Sequence, residues 1–102
     1  MMSTKATIEI PNFFAETLKD TLDEWHMPQG RIAEATGIPS PHLTELKKGR
    51  RRCTAEYDLR LSQFFGIEPG MFMRLQLRFD MMKAERECGE QIRKEVIPLP
   101  AA

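Results

Sequence analysis

Residues 29–48 constrain this chain more tightly than any other stretch. Ala33 stands where two short helical runs would cross, and Gly37 where the chain would turn between them. Ile32, Ile38, Leu43 and Leu46 recur at spacings that face one interior. Counted from Gln29, these six residues fill the fifth, ninth, fourth, tenth, fifteenth and eighteenth positions of a twenty-residue pattern. A small fifth residue lets two helices approach closely, and a glycine at the ninth takes the positive φ of a tight turn. The four apolar positions hold the helices at a steep angle, which is the geometry of a helix-turn-helix. Thr36, at the eighth position where an apolar residue is usual, is a mild departure.

Prolines, glycines and capping residues divide the rest of the chain. Pro11 suits the start of a first helix, and Asn12 is a natural N-cap for a run over residues 12–26 with Phe14, Leu18, Leu22 and Trp25 at helical spacing. Pro28 restarts the chain for a helix from Gln29 to Thr36, which Gly37 ends. Ser40 is expected to cap the next helix, with Pro41 in its first position and an end near Gly49. Thr54 caps a fourth helix with Tyr57, Leu61, Phe64 and Phe65 as its stripe, ended by Gly66. Met73 to Met81 alternates apolar and polar like a strand, yet it holds no β-branched residue and runs into a helical charged stretch. Wound as a helix it has two apolar faces: Met71, Phe72, Leu75, Phe79 and Met82 on one, and Met73, Leu77, Met81 and Cys88 on the other. Two such faces need two partners, so the second is expected to meet another chain.

The reading is therefore all-α: an extension over 1–11, a helix-turn-helix domain over 12–95 whose long C-terminal helix dimerises, and a mobile tail over 96–102. With 102 residues, 41% of them hydrophobic, the chain can build one core and not two. No run of eighteen apolar residues offers a membrane span, and Met1 to Lys5 lack the apolar segment of a secretory signal. Cys53 and Cys88 stand in no metal or redox spacing and read as free thiols, so the expected compartment is a reducing cytoplasm.

Net charge is zero but unevenly placed. Residues 1–26 carry five acids against two lysines, while residues 27–60 carry seven basic side chains against four acids. A local basic stripe still attracts phosphate, because the field acts over a Debye length of about 8–10 Å. A recognition helix presents its N-terminal residues to the base edges of the major groove. Here those are Ser40, Pro41, His42, Thr44 and Glu45. Gln29 and Arg31 on the preceding helix, with Lys47, Lys48, Arg50, Arg51 and Arg52 after it, suit backbone phosphates, which set register without reading sequence. The partner so expected is double-stranded DNA with a palindromic operator, bound by a homodimer.

Nothing points to catalysis. His26 and His42 lack a paired acid, cysteine or serine at catalytic spacing, and no two ligands stand at a short metal spacing. No enzyme activity, cofactor or metal is expected. The acidic side chains Glu16, Asp20, Asp23 and Glu24 on the first helix read as solvated surface, or alternatively as a face for a basic protein.

The chain resembles the HigA-type antitoxins of the xenobiotic-response-element helix-turn-helix family over about residues 10–82. Beyond the helix-turn-helix, the likeness rests on Arg60-Leu61, Phe65-Gly66, Leu75-Gln76 and Phe79-Asp80-Met81, with Pro11 at the opening of the first helix. Phe72 stands where the family usually has tryptophan, and Asp58 where alanine is common. Pro39 and Pro41 are also less usual. The resemblance implies a five-helix lambda-repressor-like homodimer that represses its own operon and neutralises a small basic, mRNA-cleaving toxin. A stand-alone or prophage repressor without a toxin, and a helix-turn-helix that binds only protein, remain open alternatives at this point.

Overall fold

The computed structural model describes residues 9–100, and among these it is helical without a strand. Helix α1 spans Phe13–Trp25, α2 Gln29–Thr36, α3 Ser40–Lys47 and α4 Ala55–Phe65. The fifth helical body is one continuous rod: α5 over Met71–Ala84, a π turn over Glu85–Gly89, and a last piece, α6, over Glu90–Glu95. The alternation from Met73 to Met81 is thus helical. Residues 96–100 leave the rod without secondary structure and are exposed, whereas most of the extension and Ala101-Ala102 lie outside the described residues.

Local chemistry sets these boundaries. Asn12 Oδ1 accepts from Ala15 N at 3.0 Å, and the Thr54 hydroxyl accepts from Tyr57 N at 3.2 Å, so both expected caps form. Gly37 and Gly66 end α2 and α4 in the left-handed region. Ser40 is different: it is the first residue of α3, Pro39 takes the cap position, and no side chain caps the helix.

Phe14, Leu18, Leu22, Ile32, Ile38, Leu43, Leu46, Cys53, Leu61 and Phe72 form one buried cluster. Phe14 of α1 meets Phe72 of α5 edge to face at 6.0 Å, which binds the N-terminal helix to the rod. Trp25 is half exposed at the end of its stripe and lies against Phe64 and Phe65.

Two buried polar residues organise the second half. Asp58 is 2% exposed on α4, and its carboxylate accepts from Gly70 N at 2.7 Å, Met73 N at 3.0 Å and the Ser62 hydroxyl at 3.3 Å. Gly70 has no side chain with which to cap α5, so Asp58 serves as a cap delivered from another helix. Gln76 sits at the centre of the inner face of α5, buried, where the apolar pattern had no place for it. The two expected faces of α5 are redistributed accordingly. Met73 is half-buried against the core, Leu77 and Met81 are exposed, and Met82 is exposed on the supposed inner face. Cys88 lies exposed within the π turn, whose extra residue per turn shifts the phase on which its alignment with Leu77 rested.

Candidate nucleic-acid interface

The pair α2–α3 forms the expected helix-turn-helix, with Ile32, Ile38, Leu43 and Leu46 all buried. Gly37 is required by its φ of +76°; a Cβ there would also displace the end of the Arg60 side chain, whose guanidinium donates to Thr36 O at 3.1 Å. Thr36, the departure from the pattern, is buried without loss. Its hydroxyl donates to Ile32 O at 2.8 Å and accepts from Ile38 N at 3.1 Å, so it fastens the turn that an apolar residue would only fill.

Gln29 turns inward and holds α3. Its Nε2 donates to Ser40 O at 2.9 Å, Ser40 Oγ at 3.0 Å and Thr44 Oγ1 at 2.8 Å, while its Oε1 accepts from Lys47 Nζ at 2.6 Å. A residue read from sequence as a phosphate contact thus positions three other side chains of the site. Pro41 is exposed beside Ser40, and Thr44 follows one turn on, half-buried. His42 Nδ1 lies 2.6 Å from the Tyr57 hydroxyl on α4. Arg31 is exposed on α2.

The basic loop after α3 is folded back and not splayed. Gly49 takes φ +74°, and a Cβ there would press on the Asn12 amide at 3.0 Å. Arg51 Nε donates to Glu45 Oε1 at 2.8 Å, and Arg52 is ion-paired with Asp80 of α5. Among the described residues, Lys48 and Arg50 form no ion pair and are exposed. The loop is also tied to the rod through its backbone: Cys53 N donates to Gln76 Oε1 at 2.9 Å, and Gln76 Nε2 donates to Asp80 Oδ1 at 3.0 Å. Cys53–Gln76–Asp80–Arg52 is therefore one network. The site residues that the motif did not supply are Tyr57, Gln76 and Asp80, and only Gln76 and Asp80 had a signal in the sequence, as part of the resemblance.

Burial, helped by the Asp58 carboxylate and opposed by Arg52, pushes the Cys53 thiol up to about 12. It stays protonated at neutral pH and acts as a small apolar core residue. Among the described residues no cluster of histidine, cysteine or carboxylate side chains could hold a metal ion, and no helix is long and apolar enough to cross a membrane.

No family model and no curated protein matches the chain. Solved structures do. An addiction module antidote protein of a HigA family from Coxiella burnetii is 31% identical, with a TM-score of 0.81, covering 90% of this chain and all of that one. The Pseudomonas aeruginosa antitoxin HigA, solved with the higBA promoter, is 26% identical with a TM-score of 0.78 over 85% of this chain and 96% of its own. The antitoxin GraA in complex with its operator is 26% identical with a TM-score of 0.82, over 97% of this chain and all of its own. Identity, coverage and the five-helix architecture agree: this chain belongs to the HigA family of addiction-module antidote proteins.

Proposed function

We propose that this chain is a sequence-specific DNA-binding repressor, working as a homodimer on a palindromic operator of its own operon and serving as the antitoxin to a small basic protein toxin. One observation carries the DNA-binding part. The N-terminal half of α3, with Pro41 exposed and Ser40 and His42 half-buried, is held by Gln29 and is followed by an exposed basic loop. Such a helix reads base edges while the cations beside it engage phosphates. Ser40, Pro41, His42, Thr44 and Glu45 are the readers; Arg31, Lys47, Lys48, Arg50, Arg51 and Arg52 are the phosphate contacts, with Gln29 organising both groups. The operator complexes of the related antitoxins support this reading. Its place of action is the bacterial cytoplasm, where the operator is.

The test is a mobility-shift titration of the purified protein on the DNA upstream of its own gene, across a salt series. Saturable binding to a palindrome, weakening steeply with salt, is expected. No binding at low salt would leave the basic loop as mere solvated surface. Co-expression with a neighbouring small gene tests the antitoxin half: relief of that gene's toxicity is expected.

Dimerisation through Leu77 and Met81 is supported by their exposure, 58% and 60%, on one helix; Met73, packed against the core, and Cys88, carried out of phase by the π turn, do not continue that face. Leu77→Asp places a charge on that face without entering the core. It is expected to halve the mass seen by sedimentation equilibrium and to leave the helical circular dichroism intact. A mass equal to that of the unsubstituted protein would remove this face from the interface.

A further inference from the structure

We infer that Tyr57, on α4 and outside the helix-turn-helix, is a specificity-setting residue: it fixes the ring of His42 so that Nε2–H is offered to an acceptor on a base edge in the major groove, which excludes cytosine at that position. The inference rests on the proposal that α3 reads DNA. Three observations carry it. First, the Tyr57 hydroxyl and His42 Nδ1 are 2.6 Å apart, and among the described residues neither side chain has another hydrogen-bond partner. Second, both residues are half-buried, and their rings pack at 6.1 Å between centroids. Third, Tyr57 is placed by the cap of its own helix, because its backbone N–H is the group that Thr54 receives.

The direction of the bond follows from the donor inventory. A phenol has one hydrogen to give, and donation to Nδ1 uses both that hydrogen and the ring's free lone pair. The reverse arrangement would leave the half-buried phenol hydrogen unmatched within the protein. With Nδ1 occupied as acceptor, a neutral imidazole carries its proton on Nε2; a protonated one carries it there as well. The two ring nitrogens point in roughly opposite directions, so a ring whose Nδ1 faces α4 turns Nε2 away from α4. His42 lies in the first turn of α3, among the side chains proposed to face base edges. A lone N–H donor at this place is met by guanine N7 or O6, and also by adenine N7 or thymine O4. It clashes with cytosine, which presents an amino donor. Exchanging this donor for an acceptor requires either a ring flip that breaks the Tyr57 bond or a reversal of that bond that leaves the phenol hydrogen unmatched within the protein.

The experiment is selection of binding sites from a randomised duplex library by the full chain, its Tyr57→Phe variant and its His42→Ala variant, with the ring tautomer read from imidazole 15N shifts of the unsubstituted protein. The unsubstituted chain is expected to prefer guanine over cytosine about tenfold at one position per half-site. Y57F is expected to reduce this to about two- to threefold while leaving the other positions unchanged, H42A to abolish it, and the 15N shifts to report the Nε2–H form. If Y57F selects the same operator with the same preferences, or weakens all sequences alike, the inference is overturned although the repressor reading survives. An Nδ1–H tautomer in the free protein would overturn it without any variant, so a Y57F protein that fails to fold does not protect it. An unsubstituted chain that selects no sequence removes the repressor reading and this inference together.

Discussion

Alanine at Arg50, Arg51 and Arg52 together is expected to weaken binding to the operator and to unrelated duplex by the same factor, about a thousandfold near 0.15 M salt. The slope of log affinity against log salt should become shallower by about 4. The structure decides the size. Arg50 is exposed without an ion pair and can give a full phosphate contact in each protomer. Arg51 and Arg52 already answer to Glu45 and Asp80, so each brings less net charge to a phosphate than a free arginine would. Exposed pairs of this kind are worth little in stability, and DNA can share or displace them at small cost. R50A alone is therefore expected to account for about half the change in slope. Equilibrium titrations at four or more salt concentrations would show this. A loss confined to one base position would mean that the arginines read sequence.

Asp58→Ala is expected to be the most damaging single substitution to the fold, costing about 3 kcal/mol. For a domain of this size the melting temperature should fall by about 10–20 °C. The carboxylate satisfies the N–H of Gly70, the cap residue, and of Met73 in the first turn of α5, and its charge lies at the positive end of that helix. With alanine the two donors lose their partner, and Gly70 can offer no replacement. Asp58→Asn keeps an acceptor but loses the charge and the second oxygen, so about half the loss is expected. Thermal unfolding followed by circular dichroism would separate the three proteins. A D58A midpoint within about 2 °C of the parent would show that water caps α5 equally well.

Asp58 also shows where sequence reading stops. Helix boundaries were legible because Asn12, Gly37, Thr54 and Gly66 act on their own neighbours, and local chemistry is what a local pattern records. The helix-turn-helix was legible because its six positions encode one crossing geometry. Asp58, Gln76 and Gln29 escaped because each serves a partner in another helix. A carboxylate or amide within a helical run looks like solvent-facing surface until the partner is placed. Ser40 was read as a cap for the same reason: its hydroxyl suits that task locally, but Gln29, from the facing helix, takes it. The outer face of α5 was legible at Leu77 and Met81 but not at Cys88, since nothing in the residue types announced the π turn between them.

The tie between Cys53, Arg52 and the rod has a consequence for the DNA itself. In the proposed dimer each basic loop hangs from the same helix that meets the partner, so the two loops sit at a fixed separation, like the jaws of a gauge. Letters in an operator could drift one at a time, each costing only the contact it supplied. Length could not. A single inserted base pair between half-sites moves the second about 3.4 Å along the duplex and turns it by about 35°, while the bonds through Gln76 and Asp80 hold each loop to its rod. For this chain, regulatory DNA is expected to be forgiving in spelling and strict in spacing.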